Sequence, residues 1–335
     1  MEKNIFFFLK YSIYLFPFFL ITGPFLPDLI LSISVILFII LIFKKKEFEI
    51  FKNLYFQIYF IFIIYLIIRS LFTLDWLSIR PSLFYFRFGF FSLAIFYLLK
   101  KNIINIKSFT IISSFLLIII FLDANLQNFT GKNVLGFELY HPERISSFFR
   151  DELILGGTTF RIFSLIVPLI FFLNFKRKFI LSILVFLLML SIILLSAERT
   201  SLGLMIIYIL AFLLFIPMRI NNKIMFAVII TFFISIFFYL NDESRNRIIN
   251  KTFHNLTIDN KKFDVTLFSA MHQSHILTSI EMFKDNYLFG KGPKMYRKVC
   301  DDDNFKKFIV GDHSCTTHPH NILAQILGEI GLVGL

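Results

Sequence analysis

The chain has 335 residues, of which 57% are hydrophobic and only 17% are charged. This balance excludes an ordinary soluble domain of this length, which would need a charged surface, and it is typical of a membrane-embedded protein. The formal net charge of +12 does not indicate nucleic-acid binding, because much of the lysine and arginine lies in short stretches between apolar segments. Such placement is typical of topology signals in membrane proteins.

Nine apolar segments approach the length of a membrane span, and a tenth begins at Ile322. In chain order they are residues 5–22, 24–43, 54–74, 82–99, 108–122, 153–173, 179–196, 201–217 and 223–240. Because backbone amides in hydrocarbon must be hydrogen-bonded within their own segment, we predict that each segment is a helix. The predicted fold class is therefore all-α, a polytopic transmembrane helical bundle with about ten helices visible in this sequence.

Basic residues are concentrated on alternate connections between these segments. If the amino terminus with Lys3 lies inside, the inner connections carry the basic stretches 44–52, 100–107, 176–178 and 219–223. The short connections on the opposite side hold more acids than bases. This asymmetry predicts a cytoplasmic amino terminus and places two long connections, residues 123–152 and 241–321, on the outer side.

The predicted organisation has three parts: a bundle of about nine helices over 1–240, an outer loop over 241–321, and the start of a further span over 322–335. In the outer loop, apolar residues recur at helical spacing from Leu267 to Phe283 and predict a surface helix of about five turns. The tract 289–293 predicts the turn that ends it. Because 322–335 is too short to span, we expect helices beyond it.

The most informative local pattern is Thr317-His318-Pro319-His320-Asn321, just before the last apolar segment. Pro319 suits the first turn of a helix, so we predict that His320 lies near a helix amino terminus. The helix dipole there disfavours imidazolium, and a neutral imidazole can accept a proton as a general base must. The alternative is a pair of histidines that caps the helix or hydrogen-bonds the loop.

Cys300 and Cys315 are the only cysteines, and both fall in the outer loop. In an oxidising compartment they can form a disulfide that holds the strand before His318 and His320. The competing interpretation is a metal site built from nearby ligand-type residues: Asp312, His313, Cys315, His318 and His320. Their spacing matches no standard zinc site, so we predict no metal. No nucleotide-binding motif appears, and no cofactor is predicted.

Arg199 is a candidate on independent grounds. It lies in a connection of a few residues, on the side of the membrane that usually avoids positive charge. An arginine held at the edge of the bilayer is costly and is therefore a functional candidate. The alternative is an arginine that snorkels and pairs with the neighbouring Glu198.

Four pieces of the sequence, in this order, resemble the O-antigen ligase and O-antigen polymerase family. They are the segment 144–156, the stretch 196–201, the Gly290-Lys291-Gly292 turn within 286–293, and the pattern that runs from His318 to Gly334. Together they cover residues 144 to 335. Each piece alone is unspecific, and their order and predicted side of the membrane give the resemblance its weight.

The resemblance implies a bacterial inner-membrane enzyme with a large periplasmic loop. Such enzymes transfer a glycan from an undecaprenyl-diphosphate carrier to an acceptor hydroxyl, without a required metal. Carried over, His320 is the catalytic base, and Arg144 and Arg199 bind the diphosphate, as guanidinium can in place of a metal. The supporting residues implied by the motifs are His318, Asn321, Gly290 and Gly292.

One departure from the family pattern concerns a further arginine that often precedes the Gly-x-Gly turn. Here the comparable stretch reads Gln273-Ser274-His275-Ile276. We predict that His275 takes the place of that arginine at the diphosphate. Arg245, Arg247 and Arg297 are the alternatives.

The complete His-Pro-His-Asn pattern favours a ligase, with lipid A-core as the acceptor. A polymerase, with another glycan repeat unit as acceptor, is the alternative. A lipid-linked sugar transporter or flippase is the alternative from another class, although no internal repeat is evident and the candidate residues gather on one side. A structural membrane subunit without activity is the third hypothesis.

Overall fold

The computed structural model describes residues 2–253, 270–308 and 315–335. These residues form helices joined by turns and loops, with two isolated backbone bridges. In chain order the α-helices are α1 Glu2–Leu20, α2 Phe25–Lys45, α3 Leu54–Leu71, α4 Trp76–Phe84, α5 Phe86–Lys100, α6 Ile106–Thr130, α7 Leu155–Phe163, α8 Ile166–Phe172, α9 Lys178–Ser196, α10 Arg199–Phe215, α11 Ile220–Leu240, α12 Asp242–Arg245, α13 Ala270–Asp285, α14 Tyr296–Val299 and α15 Ile322–Ile330.

The predicted all-α polytopic membrane fold is confirmed. Within the described residues, seven helical segments are long and apolar enough to cross a membrane: α2, α3, α4 with α5, α6, α7 with α8, α9, and α11. The count is lower than the nine full segments predicted. Helix α10 is apolar but has only 17 residues, and α1 includes Glu2, Lys3 and Lys10 in its 19 residues.

The span formed by α7 and α8 is broken at Ser164. Pro168 lies four residues after Ser164 and has no N–H to donate to its carbonyl. The hydroxyl of Tyr208 on α10 donates to that carbonyl instead, at 2.5 Å. The break therefore leaves no unpaired acceptor at Ser164, as a segment surrounded by hydrocarbon requires.

Helix α6 extends further than predicted. The sequence interpretation ended this span at 122 and assigned Asp123 to the outer loop, but the helix continues to Thr130 and buries both Asp123 and Gln127. The loop that follows satisfies both side chains. Val134 N–H and the Ser147 hydroxyl donate to Asp123, and two backbone amides of the same loop donate to Gln127. Buried polar groups on the last turns are thus paired, which lets the helix continue.

The chain divides into two compact units, which we treat separately. The first contains residues 1–33 and 98–252, and the second contains 34–97 and 253–335. In the first unit, α9 is the most buried helix, and a cluster of aromatic rings from Phe186, Tyr208, Phe212 and Phe226 packs beside it. This core holds the loop 131–154 against the end of α9 through the Ile145 amide, which donates to the Leu195 carbonyl at 3.1 Å.

In the second unit, α13 packs closely against α15. The Ser279 hydroxyl donates to the Ala324 carbonyl at 2.7 Å, and a Cβ atom at Gly328 would lie 2.4 Å from the Ser279 hydroxyl oxygen. The described part of the predicted surface helix is thus confirmed as a helix. Leu267 and Phe268, its predicted first residues, lie outside the described residues. The turn predicted at 289–293 follows α13.

Candidate functional site

Arg144 is held in place by backbone carbonyls. Its Nε donates to the Ser196 carbonyl at 3.2 Å, and its Nη2 donates to the Leu153 carbonyl at 2.7 Å. The side chain is only 15% exposed. The bonds join the loop before α7 to the short connection between α9 and α10. The two predicted arginine segments, 144–156 and 196–201, are therefore neighbours in the fold.

Glu198 organises this connection. Its carboxylate accepts hydrogen bonds from the amides of Gly156 and Gly157, at 2.8 and 2.9 Å, and from the Ser201 hydroxyl at 2.9 Å. It also lies 3.9 Å from Nη2 of Arg144. Because Gly156 and Gly157 are in the first turn of α7, the carboxylate occupies the anion-binding position at the amino end of that helix.

Arg247 brings a third guanidinium to this part of the first unit. It lies in the helical turn Asn246–Asn250 after α12, and its charge acts on both Arg144 and Arg199. Burial lowers the pKa of Arg144, the charge of Arg247 lowers it further, and Glu198 partly offsets the shift. We refer to Arg144, Arg199 and Arg247 as the arginine cluster. Guanidinium groups form strong charge-assisted hydrogen bonds with carboxylates and phosphates.

A second acid balances part of this charge. Glu143 accepts hydrogen bonds from the Lys251 ammonium at 2.7 and 2.9 Å and lies 3.8 Å from Arg247. Hydrogen bonds from Lys251 hold the pKa of Glu143 below its ordinary value. Nε of Arg247 is buried and has no hydrogen-bond partner in the part of the chain that the structure describes. The cluster therefore keeps donor capacity that its own acids do not use.

The second unit contains a cluster of four imidazoles. His272 and His275 lie one turn apart on α13, and His318 and His320 precede α15. The ring of His320 is central, with centroids 4.2 Å from His318 and 5.4 Å from both His272 and His275. We refer to these four residues as the histidine cluster. Three of its members were predicted as site residues.

Helix α15 begins at Ile322, where the last apolar segment was predicted to begin, and three residues after Pro319. Asn321 is its N-cap, and the Asn321 side chain accepts from the Ala324 amide at 3.0 Å. Pro319 is therefore outside the first turn, and His320 is exposed just before the cap, with a φ of +52°. An N-cap asparagine satisfies an amide that the helix cannot. The prediction that His320 lies at a helix amino terminus holds, while the role given to Pro319 was wrong.

The surroundings lower the pKa of His272, His275 and His318. Burial lowers the pKa of His275 to about 4, with further contributions from His320, His272 and His318. Burial is also the main cause that lowers the pKa of His272 and of His318, and His320 adds to both. His275 is only 2% exposed. The role predicted for His275 at a diphosphate stays a prediction.

The predicted disulfide between Cys300 and Cys315 is present, with Cα atoms 5.6 Å apart. Cys300 is buried against Met282, Tyr296 and Phe305, so the bridge lies within a small core of the second unit. This core connects the segment before the histidine pair to α13. Asp312 and His313, from the competing metal interpretation, lie outside the described residues. The described residues contain no group of three or more histidine, cysteine or acidic side chains arranged to hold a metal.

Gly290 and Gly292 support the end of α15. Two backbone amides of this turn donate to carbonyls of α15. The Lys291 amide donates to the Gly328 carbonyl at 2.9 Å, and the Gly292 amide donates to the Glu329 carbonyl at 2.6 Å. Arg69 on α3 in turn donates to the carbonyls of Phe289 and Gly290. The Gly-x-Gly turn is therefore a backbone clamp on the helix that follows His320.

The structure thus gathers the predicted residues into two groups, Arg144 with Arg199 and His275 with His318 and His320. Sequence reasoning offered Arg247 only as one of several alternatives and did not select His272 or Glu198. The spacing of His272 and His275, three residues apart on a predicted helix, was a usable signal for the first of these. No comparable signal marked Glu198, because two of its hydrogen-bond donors are backbone amides 41 and 42 residues away.

The helices and the two polar clusters define an all-α integral membrane protein with candidate anion-binding and acid–base groups. Residues 184–335 match the family model described as O-antigen ligase, so this part of the chain is similar to that family. The resemblance found in the sequence is thereby confirmed. Three of its four motif pieces lie inside the matched region, and the segment 144–156 lies before it. No curated protein and no solved structure matches the chain significantly.

The family match supports a membrane glycosyltransferase of the O-antigen ligase and polymerase type, acting in lipopolysaccharide biosynthesis. Together with the apolar helices, it indicates a protein of the bacterial inner membrane that uses lipid-linked glycans.

Proposed function

We propose that this protein is an O-antigen ligase that transfers a glycan from undecaprenyl diphosphate to a hydroxyl of lipid A-core at the periplasmic face. The observation that carries the proposal is the arginine cluster, in which three guanidiniums are held near one another with limited exposure. Guanidinium groups arranged in this way are suited to bind a diphosphate when no metal is used.

The charges of the cluster fit this ligand. Glu143 lies within ion-pair distance of both Arg247 and Lys251, and Glu198 lies 3.9 Å from Arg144. The basic groups of the cluster suit the two negative charges of a diphosphate that is esterified at both ends. When the glycan departs, the carrier keeps the electrons of the broken bond and gains a third negative charge. The guanidiniums then stabilise the leaving group more strongly than the bound donor, as catalysis requires.

His320 is the proposed general base. In the reaction, one of its ring nitrogens takes the proton of the acceptor hydroxyl while that oxygen bonds to the anomeric carbon of the glycan. The bond from this carbon to the diphosphate oxygen breaks at the same centre. His320 suits the role because it is exposed just before α15 and its ring lies at the centre of the histidine cluster.

The disulfide supports the proposed topology. Disulfides persist in the periplasm and are rare in the cytoplasm. Cys300 and Cys315 lie in the same segment as the histidine pair, so the bond favours a periplasmic position for His318 and His320. The charge asymmetry of the connections independently favours the same orientation.

Complementation tests the proposal. We expect the protein to restore polymer attachment to lipid A-core in a strain that lacks its own O-antigen ligase. His320→Gln and Arg199→Gln should abolish attachment at unchanged membrane levels, while Arg161→Gln, at an exposed arginine on α7, should attach normally. Polymer that stays on the carrier lipid identifies a failed ligase, whereas single-repeat lipopolysaccharide identifies a failed polymerase. Normal attachment by His320→Gln or Arg199→Gln would contradict the proposed function.

A further inference from the structure

The hydrogen bonds around His275 fix which of its nitrogens carries the proton. The Thr316 hydroxyl donates its single hydrogen to the His318 carbonyl at 2.8 Å. The same hydroxyl oxygen lies 3.2 Å from Nδ1 of His275. Since the hydroxyl has no second hydrogen, Nδ1 of His275 must be the donor in that contact. A neutral imidazole has only one N–H, so Nε2 of His275 carries a lone pair and no proton.

This lone pair is unused. Nε2 of His275 is buried and has no hydrogen-bond partner among residues 2–253, 270–308 and 315–335. A buried acceptor without a partner is costly, on the order of 1–3 kcal/mol in proteins, and usually has a functional reason. The side chain is 2% exposed, so solvent does not readily satisfy the atom.

The ring of His320 lies closer to the ring of His275 than the ring of His272 does. The two rings have centroids 5.4 Å apart and are tilted by 50°. Two imidazoles joined by an N–H···N bond of about 2.9 Å have centroids roughly 5 Å apart. The observed separation of the two rings is compatible with such a bond when a nitrogen of His320 faces Nε2 of His275. The ring of His272 lies farther from His275, at 6.2 Å, and is less well placed to donate.

We infer that His275 is a positioning residue for His320, and not a ligand of the diphosphate. Its Nε2 accepts the N–H of His320, which fixes the tautomer of His320 and leaves the opposite ring nitrogen bare for the acceptor hydroxyl. After His320 takes the proton, the same bond becomes charge-assisted and stabilises the imidazolium. His275 itself is not protonated at any step. The arrangement follows the general logic of a base oriented by a third group. This inference rests on the proposed role of His320.

The kinetics of the purified, full-length protein in lipid nanodiscs test the inference. His275→Phe keeps a ring but removes the acceptor, and His275→Gln restores an acceptor oxygen near the position of Nε2. We expect His275→Phe to lower kcat about 10- to 100-fold, the usual effect of losing an orienting partner, with the KM for the lipid-linked donor nearly unchanged. His275→Gln should recover most of the lost kcat.

A matched control is available one turn along α13. Thr278 is also buried, and its hydroxyl also lacks a hydrogen-bond partner among the described residues. We expect Thr278→Val to leave kcat and KM unchanged. If His275→Phe fails to fold, His275→Asn replaces it, because the shorter side chain cannot reach His320; kcat should then be higher for His275→Gln than for His275→Asn.

The possible outcomes separate the two proposals. An unchanged kcat in His275→Phe, or equal losses in the Phe and Gln variants, overturns the positioning role. A raised donor KM with unchanged kcat restores the diphosphate role predicted from the sequence. If His320→Gln is itself fully active, the proposed function fails, and the role of His275 fails with it. If His320→Gln is inactive but His275→Phe is normal, only the present inference is lost.

Discussion

Gly290 packs so closely on Glu329 that a Cβ atom at the glycine would lie 2.4 Å from the carbonyl carbon of Glu329. Gly290 also has a φ of +62°, where side chains other than hydrogen are strained. Gly331 makes the reciprocal approach, with its Cβ position 2.4 Å from the carbonyl carbon of Leu288. Two glycines thus let the turn and the end of α15 pack backbone against backbone.

This packing predicts the effect of Gly290→Ala. The methyl group overlaps backbone that cannot move aside, and the residue must keep a left-handed conformation, so we expect a loss of about 2–4 kcal/mol in the free energy of unfolding. Thermal unfolding in detergent measures this loss of stability. The control is Gly203→Ala on α10, where no atom lies within 4 Å of the Cβ position. That change should be neutral or stabilise by about 0.5–1 kcal/mol. Similar stability for the two variants would contradict the conclusion that the Gly-x-Gly turn must pack closely on the end of α15.

The arginine cluster predicts a donor-binding defect in Arg247→Gln. Loss of one charged hydrogen-bond donor, at about 1.5–3 kcal/mol, should raise the KM for the lipid-linked donor about 10- to 100-fold. Arg245→Gln is the matched control, because Arg245 is two residues away, exposed and paired with Asp242 at 2.5 Å. Its KM should stay within about twofold of the unaltered protein. Equal effects at the two positions would show that only overall charge matters.

The hydrogen bonds of Glu198 predict that its replacement lowers both stability and activity. Glu198→Ala removes the acceptor for the Gly156 and Gly157 amides and for the Ser201 hydroxyl. We expect the free energy of unfolding to fall by about 1–3 kcal/mol. Transfer activity should also fall, because the connection next to Arg144 and Arg199 loses its fixed partner. The exposed Glu152 provides a control for charge alone, and Glu152→Gln should change neither quantity. Unchanged stability in Glu198→Ala would contradict this account.

The disulfide predicts local protection of the outer loop. Replacing Cys300 and Cys315 by serine releases a loop with a sequence separation of 15, and the chain-entropy model gives a loss of about 3 kcal/mol. We expect faster proteolysis between the two positions and lower transfer activity. A reducing agent should produce the same changes in the unaltered protein and no further change in the double serine variant. Resistance to proteolysis after reduction would show that the small core around Tyr296 is sufficient without the bond.

The fold was largely predictable because its signal is long and simple. An apolar run near the length of a bilayer can satisfy its amides only as a helix, so segments such as 179–196 and 223–240 agree closely with α9 and α11. The extension of α6 was not predictable in this way. Asp123 and Gln127 interrupt the apolar pattern, and only the folded loop supplies the donors that permit their burial.

The site was predictable in part. His318, His320, Arg144 and Arg199 stood in motifs that resemble a family, and the structure describes all four in well-defined surroundings. The setting of Arg247 and of His275 depends on burial and on neighbours distant in the chain. The nearness of Arg247 to other arginines and the unpaired nitrogen of His275 both result from three-dimensional packing. The local spacing of residues in the sequence does not reveal them.

The bond between Cys300 and Cys315 also has a consequence for biogenesis. On the proposed topology, the thiols meet an oxidant only after their segment has crossed the membrane. The disulfide next to the segment of His318 and His320 therefore forms outside the cell's reducing interior. A nascent chain that has not been exported lacks this finished segment, so the onset of glycan transfer is tied to successful secretion of the loop.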